Sequence, residues 1–221
     1  MSDIAATRID TELDRQLDTL VELGYPALAG LTEQAFRAAG EALRQPLEHS
    51  VLGTPSARPE GATFVIVVNR SLVPVTARVP LLSLGDRSGT LSPHLADVET
   101  FAAQVEIPPA PVYAVVGVER GDEFLDARPS EAAAVIAERG RTMLTIEEGI
   151  GFLHACPEAL EKNRCFHTGA SRNSDKRVPA LWIADRAPHL GWCWENNHHT
   201  WLGVASCAGR VGPGQETSIT S

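Results

Sequence analysis

The chain has 221 residues, 43% of them hydrophobic, and a formal charge of −9 from 28 acidic against 19 basic side chains. An acidic balance opposes sequence-independent nucleic-acid binding, which rests on a Lys/Arg surplus at phosphates, and it opposes adhesion to anionic membranes. The apolar content is enough for a sizeable core without disulfides or metal.

No apolar run has the length of a membrane span; the longest in mid-chain is Phe64 to Val68. Met1-Ser2-Asp3 lacks the basic-then-apolar pattern of a secretory signal. A cytoplasmic protein is therefore expected, with Cys156, Cys165, Cys193 and Cys207 as reduced thiols. The basic residues are 17 Arg and two Lys, Lys162 and Lys176.

Leu13, Leu17, Leu20 and Val21 recur at helical spacing, with Gly24 as a C-terminal stop. Thr32 is expected to cap a second helix to about Leu43, presenting Phe36, Ala39 and Leu43 on one face, and Pro46 to end it. The Pro-, Gly- and Ser-rich stretch from His49 to Gly61 reads as a surface loop. Phe64 to Val68 reads as a buried strand, and Pro74, Pro80 and Pro93 confine later strands to short or edge pieces. Val112 to Val118 is the second strong strand. Ser130 is expected to cap a helix ending at Gly140, and Thr145 opens another, with Glu148 completing a capping box.

Val178 to Ala184, Leu190 to Glu195 and Thr200 to Ser206 read as three short strands, joined by loops containing Pro188 and Asn196-Asn197. From Arg210 the composition suggests a frayed tail. The order of elements favours a single α+β domain over residues 1–210 with a flexible tail at 211–221. It would comprise N-terminal helices, a mixed or antiparallel sheet and a C-terminal Trp-rich antiparallel unit.

All four tryptophans, Trp182, Trp192, Trp194 and Trp201, fall in one twenty-residue window. Strand alternation puts Trp192 and Trp194 on one face and Cys193 on the other. Trp201 joins the first face if the last two strands form a hairpin with an even loop; an odd loop sends it across. A packed aromatic core layer would explain the cluster without function. The neighbouring Arg172, Lys176, Arg177 and Arg186, with Asn196, Asn197, His198 and His199, suit an anionic or planar polar ligand instead. The plainer reading of Lys162, Arg164, Arg172, Lys176 and Arg177 is that they neutralise Glu158 and Glu161.

Cys165, His167, Cys193, His198, His199 and Cys207 are zinc-type ligands, but no CxxC pair exists and the spacing fits no compact zinc module. Neither metal nor cofactor is assigned. No GxSxG elbow, Walker loop, Rossmann fingerprint, HExxH or kinase signature is present. Cys165 with His167 or His199 would make a thiol–imidazole pair if the fold brings them together. Glu147 and Glu148 are assigned to helix capping and dipole stabilisation.

The runs Arg120-Gly-Asp-Glu-Phe-Leu125, Thr145-Ile-Glu-Glu-Gly149, Arg177-Val-Pro-Ala-Leu-Trp-Ile183, Leu190-Gly-Trp-Cys-Trp194 and His199-Thr-Trp-Leu-Gly203 resemble a domain-of-unknown-function family from high-G+C bacteria. The similarity extends over most of the chain and is densest from Gly121 to Arg210. It implies no activity, fold or catalytic residue.

The expectation is a small-molecule-binding protein, with catalysis left open, whose ligand is anionic. Trp192, Trp194 and Trp201 would be walls, Arg172 and Arg177 anion anchors, and His199 a donor or proton shuttle, with Trp182 and Asn197 completing the site. His199 and Cys165 are the catalytic candidates. The competing expectation is a non-catalytic interaction or self-association module that uses the same Trp/Arg-rich surface. Oligomeric state is not legible.

Overall fold

The computed structural model describes residues 2–51 and 61–214. The chain opens with α1 (Ser2–Glu22), α2 (Tyr25–Leu28), α3 (Glu33–Glu41) and α4 (Arg44–Val51), followed by the strand β1 (Gly61–Val68). Next come α5 (Val75–Arg78), β2 (Ser83–Leu84), β3 (Arg87–Ser88), β4 (Thr90–Leu91) and β5 (Ala102–Ala103), then β6 (Val112–Glu119), α6 (Pro129–Glu138), β7 (Thr142–Met143) and α7 (Ile146–Ala155). The last part is β8 (Cys165–His167), β9 (Ser171–Arg172), β10 (Arg177–Ala184), β11 (Ala187–Trp194), β12 (Leu202–Val204), β13 (Ser206–Cys207) and β14 (Gly209–Val211). The protein is α+β, with helices first and sheets after. Among the described residues no helix is long and apolar enough to cross a membrane.

Two five-stranded sheets organise the chain. The first runs β1-β6-β13-β7, with β14 also on β6; the second runs β12-β8-β10-β11-β4. The first sheet has a core on each face because its strands are apolar on both. Phe64, Ile66, Val68, Val112, Ala114 and Val116 pack under α1, α3 and α4, whereas Val65, Val67, Tyr113 and Val115 join the core shared with α7 and the second sheet. β1 is an edge strand, and a row of open peptide groups there would recruit other strands. Gln16 of α1 closes it: its amide nitrogen donates to the Phe64 carbonyl and its oxygen accepts from the Ile66 amide.

The helix α7 lies between the sheets, and all ten of its residues are buried. Gly149 permits the approach to the second sheet, since a Cβ there would strike Thr168, with Leu181 and Phe166 close behind. Gly151 does the same against β1, at the Ile66 carbonyl and Val65. The expected capping box is present: the Glu148 amide donates to Thr145 Oγ1 at 3.3 Å, and the Thr145 amide donates to Glu148 at 2.8 Å.

Several local readings need correction. Pro46 does not end a helix; it sits in the first turn of α4, where the missing N–H costs nothing. The supposed loop from His49 belongs to α4 up to Val51, and residues 52–60 lie outside the described residues. Arg128, not Ser130, holds the N-cap position of α6; Pro129 opens the helix, and the Ser130 hydroxyl donates to Asn196 Oδ1. Pro188 lies inside β11, opposite Ile183, with the tight turn at Asp185 and Arg186, both at positive φ. Thr200 to Ser206 is not one strand, and it does not pair with β11. β12 runs parallel to β8, and β13 crosses to the first sheet. The chain stays paired beyond Arg210, because β14 is a sheet strand and Val211 is buried; residues 215–221 lie outside the described residues.

Candidate functional site

The strand register divides the tryptophans. Trp192 and Trp194 sit opposite Pro179 and Arg177, on the face that also carries Leu181 and Leu190. Trp182 sits opposite His189, on the other face. Trp201, in the turn before β12, packs edge-on against Trp182 at 6.1 Å and tilts against His199 at 5.3 Å. Trp192 and Trp194 form their own T-shaped pair at 4.7 Å. One window of sequence therefore makes two aromatic pairs on opposite sides of a sheet, not four walls of one pocket.

The expected anion anchors are already paired. Arg177 is held by Asp97 at 2.5 Å and Asp175 at 2.7 Å, and its guanidinium lies over Phe101 and Trp192 at 5.1 and 5.6 Å from the ring centres. Arg172 binds Glu195 at 3.0 Å, and Lys176 shares that carboxylate at 3.4 Å. Arg164 pairs with Asp122. Glu195, Asp97, Asp175 and Asp122 thus pair with Arg164, Arg172, Lys176 and Arg177, in place of the sequence neighbours Glu158 and Glu161. Asn197 is exposed, and its backbone closes a turn onto the Trp194 carbonyl.

Cys165 is buried; its thiol donates to the Glu161 carbonyl at 3.3 Å, and burial raises its pKa, which suppresses the thiolate. His167 is buried beside it in β8. Its Nδ1–H donates to the Gly203 carbonyl at 2.9 Å, leaving Nε2 buried and unpartnered; the Nε2 of His199 is likewise unpartnered. Burial first, then His199 and Arg172, push the His167 pKa down to about 4 against the pull of that carbonyl. Among the described residues, no three His, Cys, Asp or Glu side chains group to hold a metal ion.

A cavity of about 300 Å³ lies elsewhere, lined by Asn69, Arg70, Glu99, Ala102, Ala103, Ile107, Tyr113 and Glu147. Its polar wall comes from two elements that meet at their ends. Asn69 and Arg70 follow directly on β1, and Glu147 stands in the first turn of the buried helix α7. Arg70 Nε donates to Glu147 Oε1, and its Nη1 donates to the Phe101 carbonyl, while Nη2 is buried without a partner. Tyr113 is held behind this pair. Burial foremost, then the neighbouring Glu148 and Glu147, raise its pKa well above the usual value, so its hydroxyl stays protonated and donates to Glu148 at 3.0 Å. Arg210 completes that buried cluster with two bonds to Glu148, at 2.7 and 2.8 Å.

None of the residues expected for the site lines this cavity, but a strap joins the two regions. Within residues 94–103, the His94 carbonyl accepts from Trp192 Nε1, Asp97 binds Arg177, and Phe101 touches Arg177 with its ring and Arg70 with its carbonyl. Sequence reasoning missed Arg70, Glu99 and Glu147. A polar residue and a cation directly after the apolar run of β1 were the available signal for Asn69-Arg70. Glu147 was absorbed by the capping argument, which holds only for Glu148.

A sequence profile described as a family of unknown function (DUF5701) matches residues 19–213. No curated protein and no solved structure matches the chain.

Proposed function

The chain belongs to the DUF5701 family, and from its own site chemistry we propose that it is a small-molecule-binding protein whose ligand occupies the cavity between Arg70 and Glu147. The observation that carries this is a partly buried ion pair, with Glu147 buried and Arg70 half-buried, on the wall of a 300 Å³ cavity, at the lower end of ligand-pocket sizes. Few convergent polar groups beside an apolar side are what such sites use to orient a guest.

The strap gives the reading a spectroscopic handle, since Trp192 reaches Arg70 through Arg177 and Phe101. Tryptophan fluorescence and thermal stability are recorded together while small polar metabolites of both charge signs are screened. A ligand at 100 times its dissociation constant raises stability by about 2.7 kcal/mol. Shifts seen in the wild type and lost in Ala102→Trp, which fills the cavity mouth, are the expected result. Shifts that persist in Ala102→Trp put binding elsewhere and overturn the proposal, as does a panel with no shift.

A second reading, protein interaction or self-association, draws on Trp194, which is 47% exposed beside Trp192. Size-exclusion chromatography of the wild type against Trp194→Ala tests the self-association form of it; unchanged elution volumes refute that form.

A further inference from the structure

The charged lining of the cavity is two carboxylates, Glu99 and Glu147, against one guanidinium, Arg70. What each group has left to offer sharpens this imbalance. Glu147 accepts from Arg70 at Oε1, and Glu99 accepts from the Thr76 amide at Oε1. Among the described residues, neither Oε2 has a hydrogen-bond partner. Arg70 has committed Nε and Nη1, and its Nη2 is buried, so it contributes charge to the cavity more than a free donor. Asn69 uses its side-chain oxygen on the Ser71 amide, which leaves the Nδ2 donor. The cavity thus offers mainly anionic acceptors, with weaker donor capacity next to them, and Ala102, Ala103 and Ile107 form an apolar margin.

A simple anion would meet a lining of net negative charge, because Arg70 and Glu147 offset each other and Glu99 remains, and like charges at close range disfavour each other. An ammonium group supplies three donors and the missing positive charge. Hydrogen bonds between ionised partners are about twice as strong as neutral ones. Resting on the reading that this cavity is the ligand site, we propose that its ligand is a small aliphatic α-amino acid. The ammonium is taken by the free oxygens of Glu147 and Glu99, the carboxylate by the Nδ2 of Asn69 beside the positive charge of Arg70, and the side chain by Ala102, Ala103 and Ile107.

The test uses the full chain and three probes that differ in one group: L-leucine, 3-methylbutan-1-amine, which lacks the carboxylate, and 4-methylpentanoic acid, which lacks the amine. Calorimetric titration is expected to rank leucine above the amine and to find no binding of the acid at millimolar concentration. Glu147→Gln and Glu99→Gln should each weaken leucine by about tenfold or more, the cost of one charge-assisted hydrogen bond. Glu99 is exposed, so its variant keeps the test valid if Glu147→Gln fails to fold. Acid binding as tight as leucine, lost in Ala102→Trp, would overturn the amino-acid assignment and leave the cavity reading standing. Leucine binding that survives Ala102→Trp would overturn both. Failure of all three probes overturns the amino-acid assignment alone.

Discussion

Lowering the pH from 7.5 to 5 should remove about 4 kcal/mol of stability through two histidines that fold in the neutral form. His154, in α7, is buried, and its Nε2 accepts from the Tyr25 hydroxyl at 3.0 Å. Burial, then the nearby Arg78, push its pKa from 6.5 down to about 3. His167 is pushed to about 4, again by burial first. Because both folded values lie below the unfolded one, the neutral form is the one that folding favours. The stabilisation is complete above pH 6.5 and is lost as the pH falls toward the folded pKa values. At pH 5 the unfolded chain holds about one extra proton at each site, worth about 2 kcal/mol per histidine at 1.36 kcal/mol per pH unit. His189 and His199, also shifted down by burial, act in the same direction. Asp97 and Asp122 have lowered pKa values, so their loss falls below pH 3.8, outside this window. Urea unfolding at half-unit intervals reads the slope directly. Between pH 6 and 5 His154 and His167 together should contribute up to about 2.7 kcal/mol per unit, and His167→Gln should remove about half of that contribution whatever that variant does to absolute stability. A flat profile from 6.5 to 5, or a slope unchanged in His167→Gln, would refute the argument.

The packing of α7 makes a second prediction. Gly149→Val should lower stability by about 1–3 kcal/mol or more, since its branched side chain has to displace Thr168 or Leu181 from a filled interior, and the urea midpoint measures it. The buried cluster behind the cavity gives a third. Arg210→Ala leaves Glu148 buried without its cation and should cost about 3–5 kcal/mol, whereas Arg164→Ala, which breaks a more exposed pair, should cost about 1 kcal/mol or less by the same assay. Equal losses in the two would show that burial is not what sets the value of these pairs.

The sequence by itself determined the elements whose causes are local. The apolar run at Phe64–Val68, the alternation that separates Trp192 from Cys193, the Thr32 cap and the Thr145–Glu148 capping box each depend on residues within a turn or a strand of one another, and each is present. The short edge strands among Pro74, Pro80 and Pro93 belong to the same class, because a missing N–H acts where it stands. Local signals misled where a distant partner outbid them. Ser130 turned to Asn196, and Thr200–Ser206 was divided between two sheets whose other strands come from elsewhere in the chain.

Only the tertiary structure brought the candidate site together. Charge is not a property of a segment: Arg172 and Arg177 looked available until Glu195 and Asp97, 23 and 80 positions away, met them. Nearness in sequence is not convergence, because a sheet has two faces and the four tryptophans use both. The cavity needed Arg70 from the end of one strand, Glu147 from the start of a helix 77 residues later, and the segment from Glu99 to Ile107 between them. Nothing in composition or periodicity ties those three together; they meet because α7 is buried whole between two sheets, and its glycines let both of them close on it.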